Sequence, residues 1–547
     1  MLGVMGGETP TTLFPSLRAR LSGAFIVLTA SLIAPGVAAA ATDSFVVSTN
    51  AGQLRGIPHA GGGAQFFGIP YAEPPLGNLR WRAPVPAKHW TGIRNADAYG
   101  APCVQPDLGE WNRHDAALGR EDCLYLNVDV PHWPAKESLP VMFWIHGGSN
   151  LGGSGAGPLY NDGTLAAHGV VVVTINYRLG IFGFLAHPAL TAESAQHASG
   201  DYGLLDQILA LKWVRANIAK FGGDPNNVTV FSQSAGAINT GLLMTSPLAR
   251  NLFQKAIAES GTALAPPLTT LTTAEQNGIK VAALVDPEAK DESSVAALAE
   301  LRKIPAEKLR TVEVSLFGAG LVGADVDGWV TPRPPAQVFS SGQEAAIPLL
   351  IGTTTREFES SATPEELRAQ IDRFTGPSSP KMLALYGLAS GGQGDSDPKY
   401  GGAADQWSAD WLFRCPTVVE AVWHTRAHHV VYEYELDHAI PGQPFAIHSS
   451  ELPYVFGYFP KTGNLAGSFG PVDVKLADLF QTYWTNFAKT GNPNSAGLAD
   501  WKPFGASQNY IQFVENGAVE PAQGLRRAQC AVYREILESQ WPAPRAS

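Results

Sequence analysis

A chain of 547 residues, 45% hydrophobic and 16% charged, carries enough apolar side chain for a sizeable core and does not have the composition of a disordered protein. Its formal net charge is −11, and −12 without the first 40 residues, which hold Glu8, Arg18 and Arg20. That acidic balance excludes the basic footprint of a nucleic-acid-binding protein and offers no attraction to anionic membranes.

At the N-terminus, Arg18 and Arg20 precede an apolar run from Leu21 to Ile33, then Ala34-Pro35-Gly36-Val37 and an alanine string ending at Ala41. A positive flank, a short apolar core and small residues predict a secretory signal over residues 1–40, cleaved near Ala40 or Ala41. The run is short for a bilayer span and no cysteine follows it to take a lipid, so no membrane anchor is expected. The mature protein is expected in the periplasm or outside the cell. Cys103, Cys123, Cys415 and Cys530 are then expected to pair, with three connectivities open. No two cysteines have the spacing of a zinc knuckle, so no metal site is expected.

Further along, residues 44–48 and 52–56 predict a short hairpin, and residues 65–72 an extended segment broken by Pro70. Pro140 to Ile145 and Val170 to Tyr177 are apolar on both faces, as strands are in the centre of a sheet covered by helices. Between them lies His146-Gly147-Gly148-Ser149. Leu204, Leu205, Ile208, Leu209, Leu211, Trp213 and Val214 fall at helical spacing, and Gly222-Gly223-Asp224-Pro225 ends that helix. Val228 to Phe231 reads as a buried strand running into Ser232-Gln233-Ser234-Ala235-Gly236-Ala237, and Leu242 to Met244 suit a helix beyond. Later strands are predicted at residues 255–258, 347–352 and 430–434, with an amphipathic helix over 477–489. No internal repeat and no sharp break in composition divides the chain; strands alternating with helices predict one large α/β fold.

A strand, a tight turn carrying Ser234 and a helix make a nucleophile elbow, with the helix N-terminus behind the serine favouring negative charge. Ser232 stands where the usual Gly-x-Ser-x-Gly pattern has its first glycine. Serine needs a base to take its proton, and the base needs a third group to orient it. In the chain order Ser, acid, His, the candidates are Glu357, just past the strand 347–352, and His448. Backbone N–H groups of the His146-Gly147-Gly148-Ser149 loop, with that of Ala235, are candidate donors to an oxyanion. Gly-x-x-x-x-Gly-Lys is absent, so the glycine-rich turn does not read as a nucleotide cradle.

These residues sit in a longer series. It includes Phe67-Gly68-Ile69-Pro70-Tyr71-Ala72, Glu121-Asp122-Cys123-Leu124-Tyr125-Leu126-Asn127, Asn176-Tyr177-Arg178 and Gly203-Leu204-Leu205-Asp206-Gln207. Phe221-Gly222-Gly223-Asp224-Pro225 and Glu451-Leu452-Pro453-Tyr454-Val455-Phe456-Gly457 complete it. In that order they resemble the type-B carboxylesterase/lipase family, which includes the cholinesterases. The resemblance implies a single α/β-hydrolase domain over residues 41–547, with a large, mostly parallel sheet and helices on both faces. It implies a serine esterase acting on small-molecule carboxylic esters without a cofactor, with Ser234 as nucleophile, Glu357 as acid and His448 as base. Gly148, Ser149 and Ala235 take the oxyanion-hole positions, and the pairs implied are Cys103–Cys123 and Cys415–Cys530. The family's neuroligin-like adhesion members are the alternative, marked by a lost nucleophile, and an amidase using the same triad is another. Ser149 stands where glycine is frequent, Gln233 where glutamate is, and Arg356 and Phe358 flank Glu357 where Asp and Gly are usual. Trp90, Phe182, Phe317, Trp411, Phe413 and Phe445 are candidates for an apolar pocket.

Overall fold

Strands whose side chains are apolar on both faces build the centre of this molecule. The computed structural model describes residues 45–135, 138–285, 294–318 and 320–542, so the signal predicted over residues 1–40 lies outside the described residues. In chain order the strands are β1 (Val46–Ser48), β2 (Gln53–Arg55), β3 (Ile57–His59), β4 (Gly63–Pro70), β5 (Ile93–Asn95) and β6 (Tyr125–Val130). They continue as β7 (Leu139–Ile145), β8 (Val171–Ile175), β9 (Gly223–Gln233), β10 (Lys255–Glu259), β11 (Thr269–Thr270) and β12 (Asp325–Val326). The last four are β13 (Leu349–Thr354), β14 (Val431–Leu436), β15 (Asn509–Phe513) and β16 (Val519–Gln523). Eleven of them form one sheet, ordered β16-β15-β14-β13-β10-β9-β7-β8-β6-β4-β3. From β15 to β8 every neighbouring pair is parallel. Antiparallel pairs finish both ends. The predicted hairpin forms as β1 and β2, with Val47 opposite Leu54.

Alternation along β7 shows why the central strands read as unbroken apolar runs. Val141, Phe143 and Ile145 enter the core on one face, and Met142 and Trp144 enter the core on the other. The helix Tyr202–Asn217 covers the first face with Leu204, Ile208, Leu211 and Val214. The helix Pro471–Thr490 covers the second with Leu476, Phe480, Tyr483, Trp484 and Phe487. Two motifs of the sequence meet beneath the first helix: Arg178 donates from Nε and Nη2 to the two carboxylate oxygens of Asp206, at 2.8 and 2.7 Å. Both side chains are buried, and the paired geometry satisfies the fork of one against the carboxylate of the other. Disulfides join Cys103 to Cys123 and Cys415 to Cys530, the second closing a span of 115 residues. Among the described residues no helix is long and apolar enough to cross a membrane.

Phe480 is fully buried, its ring stacked 4.0 Å from that of Phe513 and tilted 4.8 Å from that of Trp484. Phe480→Ala is expected to cost about 3–5 kcal/mol, read as a lowered urea midpoint at unchanged slope.

Candidate active site

At the C-terminal end of β9 the chain turns sharply into the helix Ala235–Thr245, with Ser234 between them at φ 57° and ψ −126°. A serine in that region stores roughly 1–3 kcal/mol of strain, so its neighbours must hold it there. Ser234 N–H donates to the Glu259 carbonyl at 2.8 Å, and its own carbonyl accepts from Ile238 N–H at 3.0 Å. Two glycines make room for the turn. A Cβ on Gly236 would lie 2.2 Å from the Ile145 carbonyl oxygen, and one on Gly261 would lie 2.4 Å from that of Ser234. Ser232, at the elbow's unusual first position, is buried. Its hydroxyl meets Thr240 Oγ1 at 2.7 Å and the Ile257 carbonyl at 3.2 Å, tying strand, helix and β10 together.

Beside the elbow runs the turn that follows β7. Gly148, Ser149 and Asn150 have φ of 96°, 61° and 55°, three left-handed residues in succession. Leu151 and Gly152 N–H both donate to the Gly148 carbonyl at 2.9 Å. The amide side chains of Asn150 and Asn239 exchange hydrogen bonds at 3.0 and 2.8 Å, locking this turn to the elbow helix. Tyr177 Oη lies 2.9 Å from the His146 carbonyl and 3.0 Å from Asn150 Oδ1. Burial pushes His146 down to about 4, so it stays neutral and stacks on Tyr177 at 4.5 Å. A Cβ on Gly147 would lie 2.9 Å from that of Ser234, which sets the turn directly against the elbow. Among the described residues, the N–H groups of Gly148 and Ser149 have no protein acceptor. Ala235 N–H, as the first of its helix, has no acceptor within it.

Glu357 follows β13 at φ 29° and is buried. One carboxylate oxygen accepts from Thr354 N–H at 2.9 Å and the other lies 2.6 Å from His448 Nδ1. The backbones join as well, His448 N–H donating to the Glu357 carbonyl at 2.7 Å. On the far side of the imidazole, Gln233 Nε2 lies 3.1 Å from His448 Nε2. A carboxylate acceptor at Nδ1 and an amide donor at Nε2 together require the tautomer with the proton on Nδ1, toward Glu357. The Ser234 hydroxyl itself makes no hydrogen bond among the described residues.

Aromatic rings flank the histidine. Phe358 and Phe413 lie 4.5 and 5.0 Å from the His448 ring, with Phe358 still 49% exposed. Of the aromatics singled out in the sequence, Phe413 reaches His448, and Phe445 carries the Arg356 guanidinium 4.2 Å above its ring. Trp411 is drawn away into a stack with Trp407, Trp90 lies beside Arg94 and Phe182 beside Arg80. The side chain of Phe317 lies outside the described residues.

Behind the elbow lie buried acids that sequence reasoning did not find. Glu259 accepts from Trp484 Nε1 at 2.7 Å, and burial pushes its carboxyl up to about 8. Glu451 is raised too, by burial and then by the charges of Glu259 and Glu357. Glu451 belongs to a motif read for its resemblance, but nothing in its spacing points to Glu259.

With this geometry in place, the comparisons identify the family. The carboxylesterase family model matches residues 43–533. The chain is 37% identical over 487 residues to fumonisin B1 esterase of Sphingopyxis macrogoltabida, covering 85% of this chain and 86% of that protein. It is 37% identical over 477 residues to para-nitrobenzyl esterase of Bacillus subtilis (strain 168), covering 84% of this chain and 92% of that one. Among solved structures, a PNB esterase superposes with a TM-score of 0.77 at 33% identity, over 89% of this chain and 99% of its own. A carboxylesterase of Geobacillus stearothermophilus gives 0.77 at 32% identity, over 89% and 100%. The chain belongs to the carboxylesterase family, has the α/β-hydrolase fold and is a carboxylic ester hydrolase.

The folded protein holds a proton on Glu259 that the unfolded chain releases in the ordinary carboxylate range. The contribution of Glu259 to stability is therefore fully present below that range and is lost as pH rises toward about 8. Glu259→Gln is expected to flatten this slope, measured as urea midpoints from about pH 5 to about pH 9.

Proposed function

We propose that Ser234, His448 and Glu357 hydrolyse carboxylic esters through an acyl-enzyme. The observation that carries this reading is the 2.6 Å Glu357–His448 pair beside a left-handed Ser234. With its proton on Nδ1, the imidazole keeps the Nε2 lone pair to receive the Ser234 proton as the oxygen attacks the ester carbonyl. Glu357 then stabilises the imidazolium. The N–H groups of Gly148, Ser149 and Ala235 receive the developing oxyanion; among the described residues the first two have no protein acceptor and the third has none within its helix, which leaves them ready to donate. His448 returns the proton to the leaving alcohol, and water releases the acid by the reverse steps.

In this arrangement the Nε2 lone pair faces Gln233, so the amide yields to the Ser234 hydroxyl when an ester binds. The Phe358 and Phe413 rings supply an apolar wall at the histidine, which suits esters with hydrocarbon or aromatic groups next to the scissile bond. A neutral amide in place of a carboxylate beside Ser234 gives no electrostatic preference for cationic substrates. We further propose that residues 1–40 are an export signal and that one hydrolase domain follows. Two disulfides support an oxidising compartment.

Ser234→Ala is expected to lower kcat on an aryl ester by at least about 10³-fold with folding intact, since the nucleophile acts only in the chemical step. Retained turnover would reject the acyl-enzyme. Gln233→Glu places a negative charge 3 Å-scale from the imidazolium and favours it. The acid limb of kcat/KM, which reports loss of the neutral base, is then expected to move to higher pH by about 0.5–1 unit.

A further inference from the structure

At the opposite edge of the sheet from Ser234, three side chains converge that the esterase reading does not use. Glu344 precedes β13, His424 ends the helix Cys415–Arg426, and His429 precedes β14. Their ligand atoms all lie within 4.8 Å of one another.

The hydrogen-bond roles at His424 carry the argument. Its Nε2 lies 2.8 Å from the Ile347 carbonyl, which can only accept, so Nε2 carries a proton. Its Nδ1 lies 2.8 Å from Glu344 Oε1. In the neutral imidazole that would set a lone pair against a carboxylate oxygen, so the contact needs a cation: a proton on Nδ1 or a metal ion ligated by both atoms. A backbone carbonyl holding the far N–H of a histidine is also the usual support for an imidazole that ligates a metal through its other nitrogen. Two further observations favour a metal ion over a proton. Glu344 is buried, and its second oxygen, Oε2, has no partner. The chain after the helix also folds back, His428 taking φ 65° and His429 N–H donating to the His424 carbonyl at 3.1 Å. That return brings the His429 ring to 4.6 Å from the His424 ring, tilted by 53°, and its side chain makes no hydrogen bond among the described residues. Arg250 holds the backbone of Glu344, donating to its carbonyl at 3.2 Å.

We propose that Glu344, His424 and His429 bind one divalent transition-metal ion, zinc being the best match. Two imidazoles, one carboxylate and a water at the partly exposed His429 side make a four-coordinate set. Ligand atoms around tetrahedral zinc stand roughly 3.3 Å apart, so the His424–Glu344 contact opens by about half an ångström and a turn of the His429 ring completes the site. The ion joins the loop before β13 to the loop before β14 and takes no part at Ser234.

The test uses the full, untagged protein, stripped with a chelator and titrated with zinc chloride. Calorimetry and elemental analysis after gel filtration are expected to show one zinc per chain and a raised melting temperature. His429→Gln removes a partly exposed ligand and leaves the buried His424–Glu344 pair intact, so the variant folds. It is expected to bind zinc at least about 10-fold more weakly and to lose the thermal shift. Cobalt(II) in place of zinc is expected to show tetrahedral visible absorption in the unsubstituted protein alone. Substoichiometric zinc would overturn the proposal and leave a proton between His424 and Glu344. Equal binding by His429→Gln would overturn it too, placing the ion elsewhere.

Discussion

The site depends on keeping one serine in a backbone conformation that serine disfavours. Ser234 sits at the left-handed junction of β9 and the helix Ala235–Thr245, and no single bond holds it there. The hold is distributed: the Glu259 carbonyl on β10, the close approach of Gly236 to the end of β7, and the close approach of Gly261. Because β7, β9 and β10 are adjacent parallel strands, the sheet delivers these contacts at one level above its C-terminal edge. The Asn150–Asn239 exchange fixes the neighbouring turn to the same helix. The proposed nucleophile and oxyanion donors are therefore positioned by one rigid unit, so little rearrangement is left for the moment of reaction.

Electrostatics around the histidine follows the same logic. His448 lies between an anionic partner on Nδ1 and a neutral donor on Nε2, with two aromatic rings tilted against it. Low dielectric strengthens the Glu357 contact, while the same burial makes further negative charge costly. Glu259 and Glu451 behind the site respond by favouring their protonated forms.

Much of the fold was legible because continuous apolar runs and helical spacing report burial directly. The strands β7 and β8 and the helix Tyr202–Asn217 appear where those patterns put them. The start of β9 was not legible. It begins at Gly223, before Asp224-Pro225-Asn226-Asn227, where side chains suggest a turn and pairing with Leu139 supplies the extension. Ser234, Glu357 and His448 could be picked out by chain order and surrounding motifs, and the Glu357–His448 contact follows. The contact of Gln233 with His448 rests on a side-chain conformation, and Phe358 and Phe413 meet across 55 residues, so neither had a local pattern to announce it. The same holds for Glu344 and His424, separated by 80 positions. No metal was expected because cysteine spacing alone was considered, and the candidate ligands here are a carboxylate and two imidazoles.

The most direct measurement is active-site titration of the protein with a fluorophosphonate, followed by peptide mapping. One phosphonyl group per folded chain, carried by Ser234 and accompanied by complete loss of esterase activity, is the predicted result. Stoichiometric inactivation with the label on another residue, or esterase activity that survives full labelling of Ser234, would contradict the account.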